Sequence, residues 1–91
     1  MTICFIHGSG QNHLSFVQQA RYFAYKGYSV IVPDMPGHGF SEGKHLSSIK
    51  EQAQWIYDLI KELNVKDIVL LGHYQGCLIG LELYLFFFSF L

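Results

Sequence analysis

The sequence predicts an α/β fold in which three parallel strands carry helices on both faces of the sheet. Three observations carry that expectation. Short, continuously apolar runs alternate with longer stretches whose apolar residues recur at helical spacing. The runs end in glycine- or proline-containing turns. No repeat or low-complexity linker divides the chain, and its 91 residues make one domain at most.

The elements follow in order. Ile3-Cys4-Phe5-Ile6 is an apolar run of the kind a fully buried parallel strand shows, and it ends in His7-Gly8-Ser9-Gly10. A helical stripe comes next, with Phe16, Val17, Ala20, Phe23 and Ala24 on one face and Gly27 as its stop. Tyr28 to Val32 is a second β-rich run, closed by Pro33. The long loop PDMPGHGFSEGKH then leads to the best-defined helix. Ser48 and Glu51 form a capping-box pattern there. Ile49, Ala53, Ile56, Ile60 and Leu63 make its stripe, and Asn64 can adopt the left-handed conformation that ends it. Ile68 to Leu71 reads as a third buried strand. The following helix starts near Gln75 or Gly76 and is apolar nearly all round, so it requires cover on most sides.

Right-handed crossovers restrict the topology. The simplest doubly wound arrangement puts the first strand between the other two. The C-terminal ends of strands one and three are then neighbours at the switch point, where open α/β sheets bind ligands. "HGSG" and "GHYQG" should therefore lie side by side.

Composition narrows the function classes. The net charge is −1, with 51% hydrophobic and 14% charged residues and no basic block, which argues against nucleic-acid partners. Cys4 and Cys77 have no metal spacing and read as two free, buried thiols of a reducing, cytoplasmic compartment. No metal or cofactor is expected. The N-terminus lacks the features of a signal peptide. From Gly76 onward the only charge is Glu82, and the chain closes on YLFFFSFL. A span of roughly 20 apolar residues would have to cross His73, Gln75 and two glycines, so a buried helix with an abnormal ending is expected rather than a membrane anchor.

Gly72-His73-Tyr74-Gln75-Gly76 has the frame of a nucleophile elbow, G-x-Ser-x-G, with tyrosine at its tip. Gly72 and Gly76 are the small residues that let strand and helix approach. The turn presents the Gln75 N–H at a helix N-terminus, and a second N–H from the HGSG loop, that of Ser9, would complete an oxyanion hole. Between the two lies Asp34-Met35-Pro36-Gly37-His38-Gly39-Phe40-Ser41.

These three motifs resemble the α/β-hydrolase superfamily, in particular its esterase-, lipase- and C–C-hydrolase-like members. That family carries an HG oxyanion motif, then D-x-x-G-x-G-x-S, then G-x-S-x-G; here they stand as HGSG, DMPGHGFS and GHYQG. The resemblance covers residues 2 to about 84, with 85–91 an atypical apolar tail. It implies a partial α/β-hydrolase fold, hydrolysis of ester or related acyl or C–C bonds, and a small ester-like ligand. It also implies structural roles for His7, Gly8, Gly37, Gly39 and Ser41, with Asp34 and His38 ordering the long loop.

The departures shape the functional expectation. Tyr74 stands where the family has its nucleophile. A phenol holds its proton at neutral pH, and its oxygen reaches several ångströms beyond a serine's. The family's acid and catalytic histidine follow later strands, and none of the five histidines reads as the base; His13 and His45 are expected to be solvated. The expectation is a truncated, catalytically inactive remnant. A non-catalytic binding module and a site completed by another chain are the alternatives. Unpaired strand edges would favour self-association.

Overall fold

The computed structural model describes residues 1–8 and 10–85. Its elements are β1 (Thr2–Ile6), a short 3-10 turn (His13–Phe16) running into α1 (Val17–Tyr25), β2 (Ser29–Ile31), α2 (Ile49–Glu62), β3 (Ile68–Gly72) and α3 (Gln75–Leu83). The strands form one parallel sheet in the order β2-β1-β3. This is the doubly wound arrangement, a part of the α/β-hydrolase fold, with β1 at the centre.

The register explains the apolar run of β1. Cys4 and Ile6 face α2 and α3 and pack with Ile56, Ile60, Ile79 and Leu83. Ile3 and Phe5 face the opposite side and pack with Phe16, Ala20 and Phe23. A strand covered on both faces has no polar position to offer. The α2 helix is set by its ends. Ser48 Oγ accepts the Glu51 N–H at 3.0 Å, while the Glu51 carboxylate accepts from Ser47. Asn64, at φ 56°, turns the chain out of the helix.

Several sequence expectations need correction. The second strand is only Ser29–Ile31; Tyr28 lies outside it, with its ring edge against Phe23. Ala24 is exposed; the α1 side chains packed with the sheet cluster are Ala20 and Phe23, beside Phe16 of the preceding turn. Leu63 is the α2 C-cap and is half exposed, being past the last turn that reaches β1.

The larger correction concerns β3 and α3. Among the described residues β3 is covered on the α3 side alone, and Val69 and Leu71 on the other side are 41% and 40% exposed. α1 covers β1 and β2 and does not extend over β3. α3 buries Gly76, Ile79 and Leu83 but leaves Leu78 and Leu81 open. Its Cys77 is exposed, and only Cys4 is a buried thiol. Burial pushes the Cys4 thiol up to about 12. Among the described residues no helix is long and apolar enough to cross a membrane. The residues 86–91 of the apolar tail lie outside the described residues.

Truncating Ile56, which is fully buried between β1 and α3, should lower stability by about 2–5 kcal/mol. Leu63→Ala should stay within about 0.5 kcal/mol. Denaturant titration of both variants checks this; equal losses would contradict the assignment of the core.

Candidate active site

The ends of β1 and β3 stand side by side. Ile6 pairs with Gly72, and the His73 N–H donates to the Ile6 carbonyl at 3.1 Å. From there the chain reverses into α3 through Tyr74, whose φ of 55° and ψ of −121° lie in a region that favours glycine. The Gly76 and Cys77 N–H groups donate back to the His73 and Tyr74 carbonyls, both at 2.9 Å, and close the turn. A Cβ on Gly72 would strike the Gly76 carbonyl, and a Cβ on Gly76 would strike that of Ile6. The spacing of the two glycines is therefore a packing requirement. Gln75 opens α3, so its N–H lies outside the helix's own ladder and points out of the N-terminus.

The loop after β1 abuts this turn. A Cβ on Gly8 would stand 2.9 Å from the His73 carbonyl oxygen and 3.0 Å from the Tyr74 Cβ. Gln11 ties the two loops together. Its Oε1 accepts the Gly8 N–H at 2.8 Å and the His73 Nδ1–H at 3.1 Å. Ser9, the expected second oxyanion donor, lies outside the described residues.

His7 is buried beneath the loop. Its Nε2 accepts the Met35 N–H at 3.0 Å, so Nδ1 carries the proton and donates to the Gly8 carbonyl at 2.8 Å. This neutral tautomer bolts the first loop to the second. Burial holds its pKa below the ordinary histidine value.

Asp34 organises the second loop. One carboxylate oxygen accepts the His13 N–H at 2.6 Å and the other accepts the Phe40 N–H at 2.9 Å. The His13 ring meets the same carboxylate at 2.8 Å. Burial pushes the Asp34 carboxyl up, but the Phe40 and His13 donors outweigh it and hold it below its ordinary value. Ser41 Oγ donates to the Asp34 carbonyl. Gly39, at φ 53°, passes so close to the Asp34 carboxylate that a side chain has no room. Gly37, at φ 79°, is crowded in the same way by the His45 ring. His38 donates from Nδ1 to the Pro36 carbonyl, accepts the Gly10 N–H at Nε2 (3.3 Å), and stacks on His45 at 4.2 Å.

His13 opens the 3-10 turn with its side chain partly exposed and His45 is exposed in the loop, and each in addition has a partner in the long loop. Their contacts span 21 and 8 residues, and no local pattern announces them. Gln11 was also missed, although a polar side chain three positions after Gly8 is the signal of a turn closed on that N–H.

Tyr74 is 75% exposed, with its ring against His73 at 4.3 Å. A cavity of about 140 Å³ lies beside the elbow, lined by His7, Gly8, His38, His45, Gln52 and Gln75 among others. Among the described residues no cluster of histidine, cysteine and carboxylate groups could hold a metal ion.

The His7 geometry sets a pH dependence. Its depressed pKa means that the unfolded chain binds the extra proton first as pH falls through about 6.5. Stability should therefore decline from there down to the lower folded value. His7→Gln should lack that part of the slope in denaturation curves taken across this range. An unchanged slope would show that His7 is not held neutral.

The sequence and the fold are similar to those of known proteins. Residues 2–87 match a family model described as the alpha/beta hydrolase fold. The chain is 37% identical over 75 residues to (E)-2-((N-methylformamido)methylene)succinate hydrolase of Acinetobacter baylyi, covering 81% of this chain and 28% of that protein. It is 35% identical over 80 residues to the magnesium-chelatase 30 kDa subunit of Rhodobacter capsulatus, covering 86% and 28%. Among solved structures, Est816, an N-acyl homoserine lactone degrading enzyme, superposes with a TM-score of 0.88 at 31% identity, over 96% of this chain and 34% of that one. A lipase-esterase related protein from Clostridium acetobutylicum gives 0.81 at 30%, over 90% and 35%. The chain spans under a third of the length of the curated relatives it matches. With residues 2–87 matched by the family model, the chain belongs to the α/β-hydrolase family.

Proposed function

We propose that this chain keeps the elbow and loop frame of an ester or acyl hydrolase and does not turn substrate over. The observation that carries this reading is Tyr74 at the tip of an otherwise intact elbow. Its hydroxyl would reach beyond the carbonyl carbon of a substrate whose oxygen the Gln75 N–H would receive. The neighbouring His73 lies against its ring, and the His73 Nδ1 proton is engaged by Gln11. The imidazole–carboxylate pair His13–Asp34 is occupied in ordering the long loop, since both carboxylate oxygens also hold backbone N–H groups. These contacts hold the loops in place, and what supports the reading is the length of the side chain at the tip of the elbow. One relative hydrolyses a formamido-substituted succinate, and another degrades N-acyl homoserine lactone. A small ester-like or acyl carbonyl compound is the ligand class that the frame suits.

The cavity beside the elbow favours a second reading, retention of such a ligand without chemistry. A phosphonate ester titrated against the chain should then shift the resonances of Gly8 and Gln75 saturably. Absence of any shift would remove that reading.

Hydrolysis of a chromogenic acetate ester by the purified chain should run at background, and Tyr74→Ser should not raise it. Turnover that Tyr74→Phe abolishes would overturn the proposal, as would activity gained by Tyr74→Ser. With no chemistry to serve, the strained backbone at position 74 is a pure cost of about 1–3 kcal/mol. Tyr74→Gly should recover about that much in thermal or chemical denaturation.

A further inference from the structure

The two loops beside the elbow are joined through a column of imidazole rings. His7 lies at its foot, with its ring 5.0 Å from that of His38, and His45 stacks on His38 at 4.2 Å with 26° between the planes. Gly37, at φ 79°, leaves room for the His45 ring, which a side chain there would strike. The hydrogen bonds fix where the protons are. His38 Nδ1 faces the Pro36 carbonyl at 3.2 Å and must donate to it, so Nε2 holds the lone pair that accepts the Gly10 N–H at 3.3 Å. A second proton on His38 has to enter at Nε2, where it meets that N–H head on. His45 donates from Nε2 to the Gly37 carbonyl at 2.9 Å, so its second proton enters at Nδ1 and leaves that bond intact.

We propose that His38 is a pH-sensitive latch on the loop after β1: it holds Gly10 while Nε2 is unprotonated and releases it on protonation, and the stacked His45 sets the acidity at which this happens.

An unperturbed imidazole takes its second proton near pH 6.5. His45 gains one at no cost in hydrogen bonds, and the charge then faces His38 across the stack. Such a pair accepts one proton readily and resists the other. His45 thereby delays release to more acid solution. The other titratable groups around the pair are few. His7 has both nitrogens engaged. The Asp34 carboxylate, with His13 bound to it, favours charge on the rings. Glu51, at the start of α2, is taken up by Ser47 and Ser48. Glu42 and Lys44, of opposite charge, are exposed on the same loop as His45. Release is confined to one corner. Gln11 still holds Gly8 by its own N–H and by Oε1, and Asp34 still holds Phe40. The cavity wall at Gly8 and His38 therefore loosens while the long loop keeps its shape.

Amide and side-chain nitrogen resonances of the full chain, followed from about pH 8 to about pH 5, test this. The Gly10 amide should shift and lose protection as His38 Nε2 takes its proton, with one midpoint for both. The Met35 and Phe40 amides, which report on His7 and Asp34, should not share that midpoint. His45→Phe keeps a ring on the stack and removes its charge, so the Gly10 midpoint should rise by roughly one pH unit, a tenfold change in proton affinity. His38→Phe should leave Gly10 unprotected at every pH. A Gly10 amide that ignores pH, or that follows Met35 or Phe40 instead of His38, would overturn the proposal. So would an unmoved midpoint in His45→Phe or a protected Gly10 in His38→Phe. Should either variant fail to fold, the unsubstituted chain decides through the shared midpoint of Gly10 and His38.

Discussion

The contact on which the rest depends is that between Gly76 and the carbonyl of Ile6. It lets the first turn of α3 sit directly on the end of the central strand. Gly72 makes the matching concession on β3, where a side chain would strike Gly76. Together the two glycines fix the angle at which α3 leaves the sheet. That angle carries Ile79 and Leu83 down onto Cys4, Ile6, Ile56 and Ile60. It also aims the open N-terminus of α3 at the loop that begins with His7 and Gly8. Core and site are thus set by one backbone approach. The tip residue belongs to neither, which is how a tyrosine can occupy it while the frame survives.

The loops around the elbow are held mainly by polar contacts. His7 links the β1 loop to Met35, Gln11 links it to His73, and Asp34 gathers His13, Phe40 and Ser41. Each device fixes backbone. The histidines here serve as neutral connectors or as partners in the loop. At His7 and His38 one ring nitrogen accepts a backbone N–H and so has no lone pair left for a substrate proton.

The fold was largely legible in the sequence. Doubly covered β1 had to be apolar from Ile3 to Ile6, the α2 stripe and its caps are local, and right-handed crossovers leave one simple strand order. What failed to show was coverage. Short apolar runs look the same whether one face or two is packed. Ile68 to Leu71 reads as a buried strand, yet Val69 and Leu71 are exposed because, among the described residues, no helix lies over that side of β3. Cys77, Leu78 and Leu81 follow the same rule. At the site, motif positions were legible because glycines mark forced approaches. Gln11, His13 and His45 were not, because their roles come from contacts between loops.

The central claim is that the two glycines, and not the residue between them, hold the elbow. Gly76→Ala tests it most directly, by equilibrium denaturation with amide exchange read along α3. The added methyl meets backbone that cannot step aside. The expected result is a loss of about 1–3 kcal/mol, with protection reduced first at the start of α3. Unchanged stability and an undisturbed α3 would show that the close approach at Ile6 is not what positions the helix.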